Sequence, residues 1–98
     1  MTVYEHRASV TTASGSIGSS TLNMKGLLRD VLVRANTATT VFRVDLTDSN
    51  SVIRLNYAFH TGEMHDDKIS FPVQGTYTVN ITNASPNDIF TLVLAVQE

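Results

Sequence analysis

Five residues in one short stretch, HTGEMHDDK, have side chains that bind metals or move protons: His60, Glu63, His65, Asp66 and Asp67. Imidazoles and carboxylates this close together suit a divalent cation. The spacing argues against it. His60 and His65 lack the i, i+4 separation that sets two histidines on one helical face, and no second cluster completes a site. The stretch reads as a polar, solvated loop whose five side chains form a candidate binding loop, and no metal or other cofactor is expected. Asp45, Asp48 and Asn50 have the opening rhythm of a calcium loop, but its glycine and distal glutamate are missing, so they read as turn residues. Serine and histidine are both present, yet no GxSxG sets a serine on a strained elbow. SGSIGSS lacks the lysine and the strand–helix setting of a phosphate loop. The aromatics Tyr4, Phe42, Tyr57, Phe59, Phe71, Tyr77 and Phe90 fall mostly on inward parities and read as core rather than as a stacking platform; tryptophan is absent. No enzyme is expected.

The elements around these residues are strands. Charged residues are 16% of the 98 residues and the net charge is −2, so polarity rests on thirteen Thr, nine Ser and seven Asn. Thr fits a pleated surface, while Ser and Asn fit turns. A slightly acidic chain argues against a nucleic-acid partner, which needs a basic patch. No apolar run of membrane-spanning length occurs, so no membrane helix is expected. There is no cysteine for a disulfide. The N-terminus lacks a basic region followed by an apolar core, so the chain reads as made in the cytoplasm. Two glycosylation sequons, Asn80-Ile81-Thr82 and Asn83-Ala84-Ser85, then carry little weight.

Residues 1–20 read as an N-terminal arm or first strand (TVYEHRASVTT) followed by a Gly/Ser hinge (ASGSIGSS); residues 21–98 form the domain. In TLNMKGLLRDVLVRAN both a helix and a strand fit. Gly26 and the lack of acidic residues in a first turn favour a strand bulged at Gly26, with Leu27, Val31 and Val33 on one parity. TTVFRVDLTD puts Phe42, Val44 and Leu46 on one face, and SVIRLNYAF puts Ile53, Leu55, Tyr57 and Phe59 inward. The two read as a hairpin, with Arg43, Asp45 and Arg54 pairing on its outer face. ISFPV reads as a short strand that Pro72 assigns to an edge or terminus, and Gln74-Gly75 as a turn into TYTVNITN. ASPND turns the chain again, into IFTLVLAVQE. Strands at this spacing with polar turns predict an all-β antiparallel sandwich, jelly-roll-like or Ig-like, of about seven or eight strands.

IFTLVLAVQE differs from the other strands because it is apolar on both faces. It is expected to be central in its sheet. One face should be covered by the opposing layer, and the other by a neighbouring subunit or the N-terminal segment, which at ~3.3 Å per residue is long enough to reach a neighbour. The candidate interface is therefore Val3, Tyr4 and Val10 with Ile89, Val93 and Ala95.

The run T-x-F-x-V-x-L-T-D (residues 40–48), the T-G-E at 61–63, the P-x-x-G-x-Y-T-V at 72–79 and the apolar last strand resemble small β-sandwich virion proteins of tailed bacteriophages, particularly head decoration (cement) proteins. The resemblance leaves out residues 1–20. It implies a non-catalytic protein on the virion surface whose partner is the major capsid protein. It also implies a homo-oligomer, a trimer above all, that reinforces the shell through many repeated contacts. The alternative function is a carbohydrate- or receptor-binding module of a tail fibre or adhesin, using the 60–67 loop.

Overall fold

In the computed structural model, which describes residues 2–12, 18–82 and 88–98, every regular element is a strand. The strands are β1 (Val3–Thr11), β2 (Gly18–Ala35), β3 (Val41–Thr47), β4 (Ile53–Thr61), β5 (Glu63–Asp66), β6 (Phe71–Thr82) and β7 (Ile89–Gln97). All pairings are antiparallel, in one sheet of order β1-β7-β2-β6-β3-β4, with β5 also on β2. The all-β antiparallel expectation holds. The hinge residues 13–17, the sequon at 83–85 and most of the ASPND turn lie outside the described residues.

β2 makes the sheet two-layered. Its first part, Gly18–Leu28, pairs with β6, which continues into β3 and β4. Its last part, Leu27–Ala35, pairs with β7, which continues into β1. β5 and β6 lie end to end along β2, opposite residues 31–34 and 18–28. The two halves fold over a single core. Phe42 of β3 and Phe90 of β7 are not sheet neighbours, yet their rings meet edge-on with centroids 5.0 Å apart. Around them, Met24, Leu28, Val33, Met64, Val79, Ile81, Leu92, Leu94 and Val96 are sealed from solvent.

The region that fitted both helix and strand is one bulged strand, but the bulge is not at Gly26. Leu28 pairs with Val96 and Asp30 with Ala95, leaving Arg29 as the extra residue. Leu28 therefore faces the core, and Leu27 is only half-buried. Gly26 has a different task. Its φ is +131°, and a Cβ there would lie 2.3 Å from the carbonyl oxygen of Gln97. Gly75 also has positive φ (+112°) but has open space around it. Gly26→Ala combines backbone strain with a main-chain clash and is expected to cost about 3 kcal/mol or more; Gly75→Ala carries the strain alone, about 1–2 kcal/mol. Urea denaturation of the two variants checks this order.

Other expectations need correction. Gln74-Gly75 is not a turn, since β6 runs unbroken from Phe71 to Thr82. Pro72 fits because β3 flanks β6 only from Thr78 onward, so no ladder donor is needed on that side. β4 has two register shifts, which leave Arg54 and one residue of the Ala58–Phe59 pair unmatched by β3. The shifts turn Ile53 and Phe59 outward, at 55% and 61% exposure. Arg43, Asp45 and Arg54 do not pair with one another. Arg43 lies over the Phe59 ring at 5.4 Å, Asp45 accepts from the Asn80 amide at 2.8 Å, and Arg54 reaches Asp48 at 3.4 Å and lies over Phe71. Asp48 also accepts from the N–H groups of Val52 and Asn50. The Val52 hydrogen bond does most to hold this carboxyl below its ordinary value of 3.8. A depressed carboxyl pKa stabilises the fold above the ordinary value, so the turn's contribution fades as pH falls below 3.8.

One buried carboxylate ties three chain segments together. Asp88 accepts from the hydroxyls of Thr40 (2.7 Å) and Thr37 (3.5 Å) and from its neighbour's amide at Ile89 (2.9 Å). Its own main chain exchanges hydrogen bonds with Thr12. Asp88→Ala strands the buried Thr40 hydroxyl and is expected to cost about 2–3 kcal/mol, read from the chemical denaturation midpoint.

Candidate functional site

The register places the second face of β7 at the centre of one outer surface. β7 alternates: Phe90, Leu92, Leu94 and Val96 point into the core, while Ile89, Thr91, Val93, Ala95 and Gln97 point out. Flanking residues of like parity form cross-strand rows with them. Ser9, Thr91, Arg34 and Glu63 make one row, Arg7, Val93, Leu32 and His65 the next, and Glu5, Ala95 and Asp30 a third. Thr11 and Ile89 close one end.

The centre of this surface is apolar. Val93, Leu32 and Ala95 are half-buried among their neighbours, and Ile89, beyond Thr91, is 47% exposed. The rim is charged and internally paired. Arg34 grips Glu63 through two nitrogens at 2.9 and 2.7 Å, His65 Nε2 lies 2.9 Å from Asp30 Oδ1, and Arg7 lies 3.2 Å from Glu5. An open groove of about 430 Å³ adjoins the Arg34–Glu63 pair, lined also by Asn36, Ala38, Thr61 and Gly62. Apolar centre and polar rim are the composition of a protein–protein contact. Exposed apolar residues also occur on the outer side of β3 and β4. There the Asp45–Asn56 pair separates Val41 and Phe59 from Ile53, so no continuous strip forms.

The candidate interface residues are divided by parity. Val3, Ile89, Val93 and Ala95 belong to this outer surface. Val10 does not: it pairs with Phe90 on the core side, is 4% exposed and offers nothing to a partner. Tyr4 also has core-side parity, opposite Val96, yet it is 50% exposed. The N-terminal segment does not cover the second face of β7, because β1 lies beside that strand as its hydrogen-bonded neighbour.

The stretch expected to be a loop is mostly strand. His60 lies in β4, one residue before its end at Thr61, and Glu63, His65 and Asp66 belong to β5. His60 is half-buried, and its Nδ1 has no hydrogen-bond partner among the described residues. Glu63 and His65 point outward to Arg34 and Asp30, with Met64 between them in the core. Asp66 turns the other way and accepts from the Tyr57 hydroxyl at 2.8 Å. Burial of that phenol, reinforced by Asp66, raises the Tyr57 pKa above its usual value. Asp67 is exposed and lies just beyond the strand. The five side chains thus diverge, and among the described residues no group of three or more His, Cys, Asp or Glu is gathered. Sequence reading missed Leu32, Arg34 and Asp30. Their signal was the alternation of Asp30, Leu32 and Arg34 with Val31, Val33 and Ala35 once the register steps at Arg29.

The fold defines an all-β, sandwich-like module with a sheet face open to solvent. No family model matches the chain, and no curated protein matches it. Among solved structures it is similar to PliG of Aeromonas hydrophila, a periplasmic lysozyme inhibitor of g-type lysozyme. The identity is 10% and the TM-score 0.54, over 95% of this chain and 85% of that one. At that identity the likeness is one of fold.

Proposed function

We propose that this chain is a non-enzymatic structural protein of a virion, a decoration protein that docks on the outer capsid lattice and stabilises the shell. One observation supports the reading above the others: the outer surface of β1, β7, β2 and β5, where Val93, Leu32 and Ala95 form an apolar centre within charged pairs and exposed Ile89 lies beyond Thr91. A single such contact is small, but repetition over a symmetric shell adds avidity. The alternative, a carbohydrate- or receptor-binding module, relied on residues 60–67. The side chains of Glu63, His65 and Asp66 are already engaged by Arg34, Asp30 and Tyr57.

The test is co-sedimentation of the purified protein with assembled, undecorated capsids, alongside a glycan array and an assay against a g-type lysozyme. Saturable capsid binding with no glycan retention is expected. Retention on glycans without capsid binding would establish the alternative. Lysozyme inhibition without capsid binding would extend the likeness to PliG from fold to function.

A further inference from the structure

β1 is the last strand on its side of the sheet, and among the described residues none pairs with its other edge. Its ladder with β7 runs from Val3 to Thr11 without a register shift, and it contains no proline. A regular open edge is a template for another strand, and folds usually blunt one. The opposite edge is blunted by the two irregularities in β4. That of β1 is not. Thr2 O accepts from Glu98 N, and Thr12 N donates to Asp88 O, both at 2.9 Å, so the even-numbered residues of β1 bond toward β7. By antiparallel alternation the N–H and C=O groups of Val3, Glu5, Arg7 and Ser9 point to the open edge.

We propose that this edge pairs with the same edge of a second copy, antiparallel about a two-fold axis at His6. Charge selects the register. With His6 opposite His6, each Glu5 faces an Arg7 of the other copy, and each Val3 faces a Ser9. Sliding by two residues sets Glu5 against Glu5 or Arg7 against Arg7, and sliding by one turns the core face outward. In the single chain Glu5 and Arg7 touch each other at 3.2 Å, but with side chains 54% and 67% exposed they can exchange that contact for the facing copy's. The pairing also covers Val3 and Tyr4, which are 55% and 50% exposed in the single chain. An isologous contact closes at two copies, so the assembly is a dimer, where the resemblance to decoration proteins implies a trimer. The two outer surfaces then join edge to edge into one continuous face.

The experiment is sedimentation velocity on the full chain and its charge variants, with circular dichroism to confirm folding. The natural chain sediments as two 10.7 kDa copies. E5R and R7E each place like charges at both central pairs, and each sediments as a monomer, with a dissociation constant raised at least about 30-fold. The double variant E5R/R7E dimerises again, and an equimolar mixture of the single variants forms a heterodimer. A monomeric or trimeric natural chain, single variants that still dimerise, or a double variant that does not would each overturn the pairing. The virion reading fails separately: a dimer indifferent to capsids contradicts that reading alone, and a capsid-binding monomer contradicts the pairing alone.

Discussion

Phe90→Ala lowers the unfolding free energy by about 3–5 kcal/mol, a loss matched only by truncation of its ring partner Phe42 among the described core residues. Phe90 is fully sealed, and its ring meets Phe42 edge-on at 5.0 Å, joining the layer of β7 to that of β3. Truncation removes that contact and leaves a cavity that rigid strands on both sides cannot collapse into. A domain of this size has roughly 5–15 kcal/mol in total, so the variant loses a large share of its stability. Urea titration of both proteins reads the difference. A loss under about 1 kcal/mol would mean that the two layers are not held together at this point.

On the proposed docking, Ile89→Asp is expected to weaken capsid binding by about 30-fold or more while changing stability by no more than about 0.5 kcal/mol. The two variants of neighbouring β7 residues thus test the fold and the proposed docking separately. Phe90 points into the core and Ile89 out, on the same face as Val93, Leu32 and Ala95 and separated from them by Thr91. A carboxylate there must lose its water against whatever covers that face. Capsid titrations with the natural and variant chains measure the effect. Equal affinity would place the contact elsewhere on the surface.

The strands whose alternation is unbroken were legible: Phe42, Val44 and Leu46 face the core, as do Tyr77, Val79 and Ile81, and IFTLVLAVQE is a central strand. What escaped reading depends on partners distant in the chain. The bulge at Arg29 is fixed by the register of β2 against β7, and no local residue announces it. Gly26 is noticeable in the sequence, but its reason is the Gln97 carbonyl against it. Ile53 and Phe59 look inward by period, and only the shifts in β4 turn them out. The polar stretch 60–67 misled because its charges are cross-strand partners on an outer face. Buried Met64 between Glu63 and His65 was the alternation that marked a strand there. Val10 and Tyr4 differ from Val3 by parity alone, which the pairing with β7 settles.

Hydroxyl-radical footprinting of the capsid-bound chain tests most directly whether the β7 surface is the docking face. Ile89 at 47% exposure and Phe59 and Ile53 at 61% and 55% lie on opposite outer surfaces and report on the two sides within one sample. Ile89 is expected to lose most of its modification on binding while Phe59 and Ile53 keep the rate of the free protein. Protection of Phe59 and Ile53 with Ile89 unchanged would contradict it.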